Sequence, residues 1–158
     1  MHSRIIELGN APILPDDRMG ECSVPEWFYH SIADYTNAET DRDEDLKWFL
    51  EIVAHIVDVA EDGESFTFKP NAKKKHFHRQ YYAFLDKARE LTGISIEAFC
   101  AETPYDIGMA MYKLNEAYQD KFSFYIYYQD KLKTLDEWIR ETDLSESFYF
   151  GGTLDYHF

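Results

Sequence analysis

The stretch Asp34–Glu64, DYTNAETDRDEDLKWFLEIVAHIVDVAEDGE, decides how the chain is read. Leu46, Phe49, Leu50, Val53, Ile56, Val57 and Ala60 recur every three or four residues. That spacing puts side chains on one face of a 3.6-residue turn and predicts a long amphipathic helix over 41–60. Thr40 reads as its N-cap, with Asp43 in capping-box position. Asp41, Asp43, Glu44 and Asp45 crowd the first turn, where anions meet the positive end of the helix dipole. Gly63 supplies a stop. The apolar stripe is expected to lie against a sheet or other helices, with the carboxylates turned outward.

Working outward, Ser3–Leu8 reads as a short strand, and Pro12, Pro15 and Gly20 punctuate the loop that follows it. Ser23-Val24-Pro25-Glu26 opens a helix whose aromatic face (Trp27, Phe28, Ile32, Tyr35) runs to about residue 36. Glu64–Lys69 alternates polar and aromatic residues and predicts a strand. Lys73–Leu91 returns to helical spacing. Ser95 caps a short helix to Ala101 with Ile96, Phe99 and Cys100 inward, and a further helix carries Ile107, Met111, Leu114 and Tyr118.

Phe122–Tyr128, FSFYIYY, alternates as a strand and is followed by a turn at 129–131. Thr134 and Glu137 form a capping box for a helix with Leu135, Trp138 and Ile139. Ser147–Phe150 and Thr153–Phe158 read as strands broken at Gly151-Gly152 by a bend, bulge or turn. The expected fold class is α+β: about five helices on a small, mostly antiparallel sheet, as one compact domain over residues 1–158.

With 12 Tyr, 12 Phe and 3 Trp in 158 residues, the chain has the material for a packed core. Cys22 and Cys100 match no metal or redox spacing, which predicts two reduced thiols in a soluble cytoplasmic protein. Charges interrupt the first residues too early for a signal peptide, and no apolar run is long enough to cross a membrane.

The net charge of −14 argues against nucleic-acid binding by the surface as a whole, since such binding needs cations that displace counterions. One basic island stands apart: Lys73, Lys74, Lys75 and Arg79, interleaved with His76, Phe77 and His78 and followed by Tyr81 and Tyr82. Lysines could hold a phosphate backbone there while the tyrosines stack on bases. Against this, lysines at a helix start face the wrong end of the dipole, and they could instead pair with the acidic surface of residues 34–64, within the chain or in a dimer.

Chemistry-bearing motifs are few. Six histidines occur without HExxH or zinc spacing, there is no GxSxG and no phosphate loop, and no cofactor, metal ligand or catalytic residue is singled out. The charge and size resemble those of proteins that block restriction or defence enzymes by posing as DNA. The leading expectation is a non-catalytic interaction protein that meets a basic partner, such as a DNA-binding protein, through Asp34, Glu39, Asp41, Asp43, Glu44, Asp45, Asp58, Glu61 and Asp62. Two alternatives stand beside it: an enzyme whose site gathers His55, His76, His78 or His157 with carboxylates and tyrosines, and a nucleic-acid binder using the basic island. The aromatic content also leaves room for a homo-oligomer.

Overall fold

The computed structural model describes residues 1–158. It is α+β, with six helices and a seven-stranded, mostly antiparallel mixed sheet. The chain divides into two compact units. One comprises Met1–Lys73 with Phe122–Phe158, and the other is Lys74–Lys121.

The first unit holds the sheet. Strands β1 (His2–Gly9), β2 (Tyr35–Asn37), β3 (Val57–Val59), β4 (Ser65–Phe68), β5 (Tyr125–Tyr128), β6 (Lys131–Thr134) and β7 (Ser147–His157) lie in the order β3-β4-β7-β1-β5-β6, with β2 also on β7. Only β1 and β5 run parallel. β7 is shared along its length: Ser147–Tyr149 pairs with β4, Asp155–His157 pairs with β2, and β1 covers the other side.

The break expected at Gly151-Gly152 is a bulge within one continuous strand. Ile6 pairs with Thr153 while Leu8 pairs with Phe150, so Glu7 alone faces two glycines. The Glu7 carboxyl is buried in the notch they leave, and its Oε2 accepts from the backbone N–H groups of Gly152 (2.7 Å) and Met19 (2.9 Å). A Cβ at Gly151 would land on that carboxyl group. Glycine is therefore required here by space.

Alternation along the strands gives the sheet two apolar faces. On one face, Ile5, Tyr125, Leu154 and Tyr156 pack with Phe28 of α1 (Glu26–Ser31), whose ring lies 4.8 Å from Tyr125 and 5.2 Å from Tyr156. The other face carries Ile6, Leu8, Ile126 and Phe150. Phe49 of α2 (Arg42–Val53) and Trp138 of α6 (Leu135–Glu141) pack on ring partners Phe124, Phe148 and Phe150. Each fully buried ring of this set contributes roughly 1.5–3 kcal/mol relative to exposure. The Thr134 capping box opens α6 as its sequence predicts, with Thr134 Oγ1 accepting from the Glu137 N–H at 3.2 Å.

Several expectations are corrected. The helix read over 41–60 stops at Val53, and Val57–Val59 leaves it to pair with β4. Ile56 and Val57 are buried as expected, but in a hairpin whose turn passes through Gly63 at φ 72°. Val-Asp-Val favours a strand once β4 is there to pair with it. The helix cap is Asp41, not Thr40: the Asp41 carboxyl accepts from the N–H groups of Asp43 (3.1 Å) and Glu44 (3.2 Å). Helix α1 ends at Ser31, and Tyr35 belongs to β2. The strand read from Phe122 begins at Tyr125 and returns as β6 through Gln129 and Asp130. Both turn residues have positive φ, the geometry that matches hairpin twist.

The second unit is helical. It contains α3 (Ala72–Thr92) from Lys74 onward, α4 (Ile96–Phe99) and α5 (Tyr105–Tyr118). Ser95 caps α4 as read, accepting from the Ala98 N–H at 3.2 Å. Ile96, Phe99 and Cys100, expected inward, are exposed. Gln80 donates to the Tyr118 carbonyl at 2.8 Å, and the Phe84 and Tyr118 rings meet at 6.0 Å, joining α3 to α5.

The two glycine environments make a paired prediction for urea unfolding. Gly151→Ala forces a methyl group onto Glu7 and should cost about 1–3 kcal/mol. Gly108→Ala, on α5 with open space at its Cβ, should stabilise by roughly 0.5–1 kcal/mol.

Candidate functional site

The acidic stretch forms two exposed features of the sheet unit: the first turn of α2 and the β3–β4 turn. Asp34, Glu39, Asp41, Asp43, Glu44, Asp58, Glu61 and Asp62 are all exposed. Several have local partners. Asp34 Oδ2 lies 3.1 Å from His157 Nδ1, Asp58 lies 3.7 Å from Lys69 Nζ, and Asp62 Oδ1 accepts from the Glu64 N–H at 2.9 Å. Arg42 lies across the two features. It donates to the Gly151 carbonyl at 2.8 Å, pairs with Glu64 at 2.8 Å, and stands 3.8 Å from Asp43. Glu39, Glu44, Glu51 and Glu61 have no such counter-ion.

Beside these carboxylates runs an open groove of about 480 Å³. Leu46, Leu50 and Ala54 of α2 give it apolar lining, and Asp43, Glu51 and Glu64 give it acidic groups. The charge is segregated as well. Lys74–Lys121 holds seven basic and seven acidic residues, so the sheet unit carries the whole net charge of −14.

Asp45 does not belong to this surface, which corrects the outward orientation expected for it. It is 4% exposed and turned onto the sheet. Its Oδ1 pairs with Arg4 Nε, and its Oδ2 accepts from the Thr153 hydroxyl at 2.9 Å. The network continues through Arg4 to Asp155, and from Asp155 to His2 Nδ1 at 2.7 Å. The Arg4 guanidinium also lies 5.4 Å from the Trp48 ring centroid. Helical periodicity placed Asp45 among the first-turn acids. The complementary Arg4 lies 41 residues away, and only sheet assembly brings them together.

Of the four histidines considered for an assembled site, His157 meets both a carboxylate and a tyrosine, and His78 lies 5.0 Å from the Tyr82 ring. His157 faces Asp34, stacks on Tyr35 at 5.3 Å and lies 5.0 Å from the His2 ring, a residue the sequence reading did not select. His55 follows the end of α2, while His76 and His78 lie on α3. No group of three or more His, Cys, Asp or Glu side chains is arranged to hold a metal ion. In the basic island, Lys73 Nζ donates to the Arg140 carbonyl at 2.8 Å, and Lys74, Lys75 and Arg79 are exposed on α3. No helix is long and apolar enough to cross a membrane.

Comparison with protein-family models, with curated proteins and with solved structures finds no match to this chain.

The two kinds of carboxylate separate by mutation. Asp45→Ala leaves Arg4 with one acid fewer in a mostly buried site and should cost about 3 kcal/mol in denaturant unfolding, the low end for a broken buried pair. Glu44→Gln, exposed and unpaired, should stay within about 0.5 kcal/mol of the parent.

Proposed function

We propose that this protein is a non-catalytic interaction protein whose acidic face, at the start of α2 and the β3–β4 turn, captures a basic protein partner. The observation that carries the reading is the segregation of charge: the sheet unit holds all fourteen net negative charges, and Glu39, Glu44, Glu51 and Glu61 stand exposed without ion-pair partners. Unpaired surface carboxylates raise the local concentration of cationic partners and speed encounter. The adjacent groove adds apolar contact area from Leu46, Leu50 and Ala54, which charge alone does not provide.

The specific form of the proposal is mimicry of DNA, with a nucleic-acid-handling protein as the target. Duplex DNA presents one negative charge per roughly 1.7 Å of axis, so a protein built to hold it carries a basic channel that an acidic surface can occupy. The target's own DNA then competes for the same channel.

The test compares wild type with the variant Glu39→Gln, Glu44→Gln, Glu51→Gln, Glu61→Gln in capture from cell lysate, followed by identification of what is retained. Capture should be strong at about 0.1 M salt and lost near 1 M, where the screening length falls from about 10 to 3 Å. Wild type should retain DNA-handling proteins that duplex DNA displaces, and the variant should lose them while keeping the wild-type melting temperature within a few degrees. Capture that persists in the variant, or that ignores duplex DNA, overturns the mimicry.

A further inference from the structure

We propose that the helical unit is an interface between two copies of this chain, formed by α4 and α5 packing on the α4 and α5 of a second copy. This surface shares no residue with the acidic face and stands independently of the reading above. No residue from Lys74 to Lys121 is buried, so the unit has no closed core of its own. It holds large apolar side chains nonetheless, and they lie at its surface. Ile96 and Phe99 of α4, with Tyr105, Met111, Tyr112 and Tyr118 of α5, are each more than half exposed.

The pattern along α5 is that of a helix to be covered. Of its 14 residues only Asp106, Lys113 and Glu116 are charged, and helical spacing gathers the three on one strip. Tyr105 with Tyr112, Ile107 with Leu114, and Met111 with Tyr118 repeat at seven residues, which lines them up as three rows on the rest of the helix. A helix apolar most of the way round belongs inside a packed structure. Helix α3 meets it at one place, where the Phe84 ring lies against Tyr118. The Tyr105–Tyr112 row is left at the surface.

Area and charge select a second copy as the cover. A large aromatic side chain offers about 150–250 Å², so six large side chains more than half exposed present roughly 700 Å², close to the ~800 Å² that each partner gives to a standard interface. The helical unit holds seven basic and seven acidic residues, while the sheet unit carries the whole net charge of −14. Two copies that met through their sheet units would bring like fields together, and two that meet through their helical units do not. A two-fold interface must also be complementary to itself. A neutral apolar surface meets that condition, and a surface of one sign does not.

The experiment is sedimentation of the full chain between about 1 and 100 µM, in about 0.15 M and about 1 M salt. Wild type should reach twice the mass of one chain as its concentration rises. It should do so as readily at high salt, where repulsion between sheet units is screened and apolar burial is not. Phe99→Lys and Met111→Lys should each raise the dissociation constant about a hundredfold, since a two-fold dimer carries every substitution twice. Lysine lowers the net negative charge, so stronger repulsion between the sheet units is not the cause of that loss. Leu14→Lys, at an exposed apolar residue of the sheet unit, should leave association unchanged. Amide exchange of wild type needs no variant: exchange within 74–121 should slow as concentration rises. The proposal is overturned if wild type keeps the mass of one chain at about 100 µM, if high salt separates the copies, or if either helical variant associates as tightly as wild type. It is equally overturned if Leu14→Lys weakens association as much as they do, or if the concentration-dependent protection falls in the sheet.

Discussion

The sheet is held in register by a carboxyl group in a notch. Glu7 sits where β7 has one residue more than β1, and Gly151-Gly152 leaves the volume its side chain fills. The backbone N–H of Gly152, displaced from regular pairing by the bulge, finds its acceptor in Glu7, and the Met19 N–H ties the long β1–α1 loop to the same oxygen. Shape and hydrogen bonding thus reinforce each other at one point. β7 in turn carries β4 at one end and β2 at the other, so the position of the bulge sets the face on which each of its later residues lies.

That phase matters for charge. Past the bulge, Thr153, Asp155 and His157 share a face with Ile6, Arg4 and His2. Arg4 and Asp155 therefore stand ready for Asp45 when α2 packs down, and the buried acid is accepted because its oxygens meet a guanidinium and a hydroxyl. The neighbouring Asp43 and Glu44 lie on the other side of the same turn and stay in water. One helix turn therefore divides its acids between an internal bond to the sheet and the face proposed to meet a partner.

Much of the architecture was legible in short-range pattern. The Thr134–Glu137 box, the strand read over Ser3–Leu8, the long helix read over Lys73–Leu91 and the Ser95 cap each depend on residues within a few positions of one another, where local sterics and hydrogen bonds decide. The misreadings share a cause. Ile56 and Val57 continue a helical period and also suit a strand; the choice went to the hairpin because β4 offers backbone partners that a lengthened helix would have left unpaired. Thr40 and Asp41 are both good caps, and Thr40 is instead drawn to the Thr153 hydroxyl, 113 residues away.

The sequence by itself determined the α+β class, the sum and clustering of charge, and the aromatic material for a core, because these follow from composition and from periods of two and 3.6. Only the tertiary structure decided which acids are surface and which are internal, and that Gly151-Gly152 is a bulge around Glu7. Those outcomes depend on pairs of groups far apart in the chain, and sequence spacing carries no information about which of many carboxylates will find the one arginine placed to receive it.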